Sequence, residues 1–339
     1  MRNHEVVKEQ LLLDKYGEIA EPGWSRKLLQ EYRRRDIKAS AIRIKEWDYY
    51  LIMAKDFGIA MTISDLGYIG MQSASFLDFK NKREHTETVI NLLPMGKMEL
   101  PRTSKEGVTS YKDKRLDLKV VAEKGSRHLT CNFKKFDGDK DLQFDILLKE
   151  PEMDSLVIAT PWDEKYHFYY NQKINCLPAS GWVNYGGDRY EFNLSTDFGT
   201  LDWGRGVWTY DNVWYWGSGN AVVNGKPFGF NIGYGFGNTS AASENIIFYD
   251  GKGHKLDDIT CHLDYNDYLK PWKITSSDKR FEMDFVPLID RSSETDFKII
   301  GSWQHQVFGY MSGVAVLDDG TKLEIKDVLC FVEHVHNKY

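Results

Sequence analysis

The 339-residue chain lacks what several function classes require. Its four cysteines, Cys131, Cys176, Cys261 and Cys330, are widely spaced, with no C-x-x-C pair. That argues against a disulfide framework or a zinc knuckle and fits a reducing compartment. No stretch approaches ~20 apolar residues, so nothing reads as a membrane span. The N-terminus is charged from the start, and its apolar run Leu11-Leu12-Leu13 is too short for a signal-peptide core. These absences predict a cytoplasmic protein. There is no basic excess either. The formal net charge is −6, which argues against a nucleic-acid partner. The short basic runs Arg33-Arg34-Arg35 and Lys134-Lys135 read as solvated faces. No linker, low-complexity tract or internal repeat is visible. Ser218 lacks the G-x-S-x-G spacing of a nucleophile elbow. The glycines of GYGFGN lie in a β context, with no helix pattern after them, so no phosphate loop is indicated. No cofactor or metal-ligand set is indicated.

What the chain has in plenty is aromatics and turn signals. Ten Trp, 19 Tyr and 18 Phe favour strands. Turn sequences recur between alternating apolar runs: KDFG (55–58), FDGDKD (136–141), YGGD (185–188), NG (224–225), YDGKG (249–253) and LDDG (317–320). Asn-Gly and Asp-Gly are strong hairpin signals. So many hairpins at short spacing predict an all-β protein of antiparallel sandwich or barrel type with few short helices. The spacing predicts one helix, over 25–36, with Ser25 as cap and Leu28, Leu29 and Tyr32 as its buried stripe.

The segment 228–237, FGFNIGYGFG, raises a sharper question. Phe228, Phe230, Ile232, Tyr234 and Phe236 share one parity, while Gly229, Asn231, Gly233, Gly235 and Gly237 share the other. On a strand these parities are opposite faces, so one face is bulky and the other nearly bare. Just upstream, GTLDWGRGVWTYDNVWYWGSGN (199–220) holds Trp203, Trp208, Trp214 and Trp216. Trp214 and Trp216 share a face and are natural occupants of the space above Gly229, Gly233 and Gly235. Tryptophan packed on glycine is one reading. The other is a cavity in which an apolar ligand lies against bare backbone. Asn231 then needs a partner, which Arg205, Asp202 or a ligand would supply.

Asp202 and Arg205 lie three apart, on opposite faces of a regular strand, unless a bulge at Gly204 brings them together. As an ion pair they would fix a bend. As a site, Asp202 would be an acid with a raised pKa in an aromatic box, and Arg205 would hold a carboxylate or stabilise the ionised acid. His305 shares parity with Trp303 and Val307 and reads either as a satisfied core histidine or as a proton donor to a ligand. His334 and His336 share a strand face roughly 6.5–7 Å apart and with His305 are the one conceivable metal set. Glu244-Asn245 reads as a strand-entry pair that could reach a pocket. Lys173 reads as a strand residue at a barrel mouth.

LDWGRGVWTY, WYWGSG and FGFNIGYGFG resemble the signature of the domain-of-unknown-function 2804 family, with further matches in GWSR (23–26), WDYY (47–50), FYYNQKINCLPASG (168–181) and SENIIFYDGKGHKL (243–256). The resemblance spans nearly the whole chain. It departs at Thr209 and in the ending FVEHVHNKY. The family is distantly similar to carotenoid hydratase and tocopherol cyclase proteins, which are pairs of lipocalin-like barrels or sheets. The resemblance therefore implies two lipocalin-like β domains, divided here as 1–200 and 201–339. It implies interest in large apolar ligands and assigns no catalytic residue. Three functions follow as expectations. The first is binding of a lipid, isoprenoid or polyene by Trp203, Arg205, Trp208, Trp214, Trp216, Asn231, Gly233 and Tyr234. The second is a hydratase, cyclase or isomerase using Asp202 or His305 as acid. The third is a carbohydrate-binding module.

Overall fold

In the computed structural model, residues 2–296 and 301–338 are described. They form two large antiparallel sheets, a two-stranded parallel pair and a single 3-10 turn, Arg34–Asp36. The first sheet runs from the Arg83–Leu92 strand through Ile69–Asp78, Phe57–Asp65, Lys45–Met53, Phe198–Val207 and Phe168–Tyr185 to the strands between Gly107 and Lys149. The second runs from Lys252–Lys255 through Ile246–Tyr249, Lys226–Tyr234, Asp211–Val223, Lys322–Lys338, Gly301–Val316 and Phe281–Asp296 to Ile259–His262. Each sheet curls until distant strands approach, so each is a half-barrel of lipocalin-like type.

The six turn signals all join paired antiparallel strands. Gly186-Gly187, Asn224-Gly225 and Asp250-Gly251 hold both turn residues at positive φ, as a two-residue hairpin of matching twist requires. The expected helix over 25–36 does not form. Gly23–Ser25 pairs with Leu156–Pro161, and Gln30–Glu31 pairs in parallel with Gln10–Leu11. Ser25 caps nothing, its hydroxyl donating instead to Lys27 O at 2.8 Å. Leu28 and Tyr32 are buried because this segment winds across the first half-barrel and plugs it. Burial of its apolar side chains outweighs their helical spacing.

Alternation along the strands sorts side chains into three compartments. Trp203 and Tyr50 line the core inside the first half-barrel. Phe228, Phe230 and Ile232 line the core of the second. The opposite faces of the same strands meet back to back, and this seam holds two apolar patches. The Phe198–Val207 strand lies wholly within the first sheet, between Lys45–Met53 and Phe168–Tyr185. The expected division after residue 200 therefore falls inside a strand, and the sheets part at 208–210.

A buried acid cluster between the half-barrels

The bare face of the 228–237 segment looks into the seam. Trp216 stands directly opposite Gly233 in the sheet register, and Asn220 opposite Gly229. A methyl group on Gly229 would meet Cys176 Sγ at 2.7 Å and Asn175 Cβ at 3.1 Å, so the first half-barrel fills that part of the space. Trp216 Nε1 donates to Asn231 Oδ1 at 2.7 Å, and Asn231 Nδ2 donates to Glu244 O at 2.7 Å. Asn231 is thus satisfied by Trp216 and a main-chain carbonyl, and not by Arg205 or Asp202.

Positive φ at Gly235 ends the alternation. Phe236 consequently leaves the bulky face and enters the seam, where its ring meets Trp162, Tyr169, Trp208 and Trp214 at 4.6–5.4 Å. Trp47 lies edge-on to Trp208 at 5.1 Å and parallel to Tyr169. Trp47 and Trp214, both part-exposed, touch both apolar patches.

Asp202 and Arg205 do not pair. The register through Gly204 is unbroken on both sides, so no bulge rotates one toward the other. Asp202 faces the seam, where it pairs with Lys173 Nζ at 2.9 Å and accepts from Asn171 Nδ2. Trp203 and Arg205 face the first core instead, with the guanidinium 4.2 Å from the indole centroid. Arg205 pairs there with Asp48 at 3.0 Å. Lys173 is not at a mouth: it is mid-strand, buried, and 4.0 Å from the Trp216 ring centroid.

Two further carboxyls complete a cluster around Lys173. Glu244 lies against the backbone of Gly233 and accepts a long bond from Tyr169 OH. Glu333, opposite Trp216 in the register, accepts from Trp214 Nε1 and from Gln306 Nε2, each at 3.0 Å. Burial pushes both carboxyls up to about 7, against the pull of the Lys173 ammonium. Desolvation outweighs the pull of Lys173, Lys255 and Arg291, so Glu244 and Glu333 retain protons near neutrality. Such an acid can donate a proton at physiological pH.

Glu333 was not singled out from sequence. Its signal was present: it is the one charge at alternate positions from Leu329 to Asn337, a run that also carries Phe331 and Val335. The rest of the expected set scatters. Tyr234 points into the second half-barrel, stacked on Tyr215 at 4.5 Å. His305 lies on that inner face as well, paired with Asp290 at 2.8 Å and stacked on Tyr268, away from Asp202. His334 sits opposite His305 and accepts from or donates to Tyr268 OH at 2.7 Å, and burial lowers its pKa to about 4. Among the described residues no group of three His, Cys, Asp or Glu is placed to hold a metal ion. Trp203, Trp208 and Trp216 are buried, so they offer no flat exposed platform for a sugar ring. A small cleft on the inner face of the second half-barrel, lined by Tyr215, Ile232, Tyr234, Ile259 and Cys261, has no room for a water molecule.

Among curated proteins, none is detectably similar in sequence to this chain. Among solved structures, kievitone hydratase from Nectria haematococca is similar in fold at 9% identity, with a TM-score of 0.54 and 97% and 98% of the two chains covered. A Nitrosomonas europaea protein assigned as an AttH matches at 11% identity and a TM-score of 0.43, covering 90% and 95%. The family model described as "Domain of unknown function (DUF2804)" matches residues 3–339, and the chain belongs to that family.

Proposed function

We propose that the protein binds an apolar, alkene-bearing small molecule of isoprenoid or polyene type at the seam and acts on it by acid catalysis. The observation that carries this reading is the pair of buried acids Glu244 and Glu333, both raised to about 7, beside the Asp202–Lys173 ion pair and walled by tryptophans. Glu244 is the proton donor, because Gly233 leaves its carboxyl open to the bare strand face. The alkene π pair takes the Glu244 proton and forms a C–H bond, leaving a carbocation and a carboxylate. Lys173 stabilises the new carboxylate, and the faces of Trp214 and Trp216 stabilise the cation. Water then adds to the cation and returns a proton to the cluster, which gives hydration. Loss of a neighbouring proton to Glu333 gives isomerisation instead. A fold shared with a protein named as a hydratase agrees with this direction. Trp47 and Trp214, part-exposed and in contact with both apolar patches, stand where such a molecule would enter.

Mass spectrometry on an organic extract of the purified protein tests the binding step. A co-purifying apolar compound, lost from the Trp214→Ala, Trp216→Ala double variant, is expected. Incubating that compound with the protein in D2O tests the chemistry: deuterium enters the product, and Glu244→Gln abolishes its entry. An empty extract from a folded protein, or deuterium entry that survives Glu244→Gln, overturns the reading.

A further inference from the structure

A second polar site lies inside the first half-barrel, on the other face of the same strand. Arg205 and Arg127 are both essentially without solvent exposure. Each is strapped by the same long loop. Arg205 Nη2 donates to Pro101 O at 2.9 Å, and Arg127 Nη1 donates to Ser104 O at 2.6 Å. The loop spans 93–106 without regular structure and holds Leu93, Met95 and Glu99 at φ of 48–51°. A loop of that length inside a compact domain, with strained residues held in place, is characteristic of a functional closure.

The donors and acceptors in this compartment do not balance. Trp203 Nε1, Arg205 Nε and Arg127 Nε are buried donor atoms that find no hydrogen-bond acceptor. The one acceptor there without a hydrogen bond, Asp48 Oδ1, is already in the ion pair with Arg205. Buried donors without acceptors are expensive and rare. Arg205 Nε lies 3.9 Å from Glu46 Oε1 and Arg127 Nη2 lies 2.7 Å from Glu150 Oε2, so the guanidinium charges are paired and Trp203 Nε1 is the donor that lacks an acceptor. Directly above lies an open groove of about 470 Å³, lined by Leu11, Leu28, Leu29 and by Arg102 and Lys105 of the loop. Tyr32 lines the groove and meets Trp203 edge-on at 6.3 Å, which links the groove to these donors.

We infer that the first half-barrel is a binding site for a small carboxylate with an apolar tail, distinct from the seam. The carboxylate takes the place of the loop carbonyls, accepting from Arg205 and from Trp203 Nε1. The tail lies in the groove on Leu11, Leu28 and Leu29. A carboxylate can pair with a guanidinium through two parallel charge-assisted bonds, which a single carbonyl oxygen cannot form. The freed carbonyls of Pro101 and Ser104 turn to water at the surface.

Isothermal titration with decanoate and with 1-decanol, which has the same tail without the charge, tests this. Decanoate is expected to bind at one equivalent, with decanol at least about ten-fold weaker. Trp203→Phe keeps a ring and removes only the N–H, and it weakens decanoate about three-fold or more while leaving decanol unchanged. Arg205→Gln weakens it further; circular dichroism shows whether that variant folds, and Trp203→Phe decides the matter if it does not. Decanoate is also expected to speed tryptic cleavage after Arg102 and Lys105. Equal binding of decanoate and decanol, no binding, or slowed cleavage with decanoate bound overturns the inference. So does a response to Glu244→Gln without one to Trp203→Phe, since that outcome moves the ligand to the seam.

Discussion

At the scale of single residues, the seam carboxyls make a signed prediction. Glu244 is raised from 4.5 to about 7 in the folded protein, so between those pH values the folded state holds a proton that the unfolded state has lost. Stability from this group is full below pH 4.5 and falls as pH rises to about 7. The loss is at most about 3 kcal/mol. Glu244→Gln removes that slope, and urea midpoints at pH 5 and pH 7 should lie closer together in the variant than in the wild type. Lys173 predicts a different asymmetry. Lys173→Met removes the ammonium that pairs with Asp202 and faces Glu244 and Glu333, and should cost about 3 kcal/mol or more. Asp202→Asn should cost less, because Glu244 and Glu333 still face the ammonium. Denaturant unfolding of both variants at pH 7 gives the order directly, and the reverse order would contradict the cluster.

Elements show why some of this was legible from sequence and some was not. Hairpins were legible because their turns need particular backbone angles that few residues supply. The 25–36 segment was misread because leucines at helical spacing can be buried equally well by an extended chain that winds over a barrel. Asp202 and Arg205 were bracketed together by proximity in sequence, although simple alternation put them on opposite faces, and alternation held. Tyr234 and Phe236 went the other way: parity predicted one face for both, and positive φ at Gly235 separated them. Glu244, outside any strand, could reach the cluster only through a fold that sequence spacing does not encode. Glycine makes a further test at this scale. A methyl group on Gly204 would lie 2.0 Å from Trp47 Cζ2, so the indole must leave its place in the seam. Gly204→Ala should lower stability by about 2 kcal/mol and move the emission of Trp47 toward that of exposed indole. Unchanged stability would mean that the Trp47 ring is free to shift.

For the whole molecule, the two half-barrels share one apolar seam and are tied again at its edge. Arg26 bridges Asp154 and Gly253 O, and His4 N donates to Ala241 O at 2.8 Å. The halves should therefore unfold in one cooperative transition, with calorimetric and van't Hoff enthalpies equal. Two resolved transitions would show the seam to be a loose contact. Expressed alone, 2–207 would expose Tyr49, Leu51 and Met53 on its seam face and should associate or precipitate, and adding 211–339 should restore solubility.

The tie between His4 and Ala241 also sets an order of events during synthesis. His4 leaves the ribosome before Ala241 and waits roughly 10 to 50 s for it, at about 5–20 residues per second. Throughout that interval the nascent first half carries its tryptophan- and tyrosine-lined face bare to water or to whatever chaperone holds it. The segment around His4 is tied early to Trp24 of its own half, and to the second half once Ala241 has emerged.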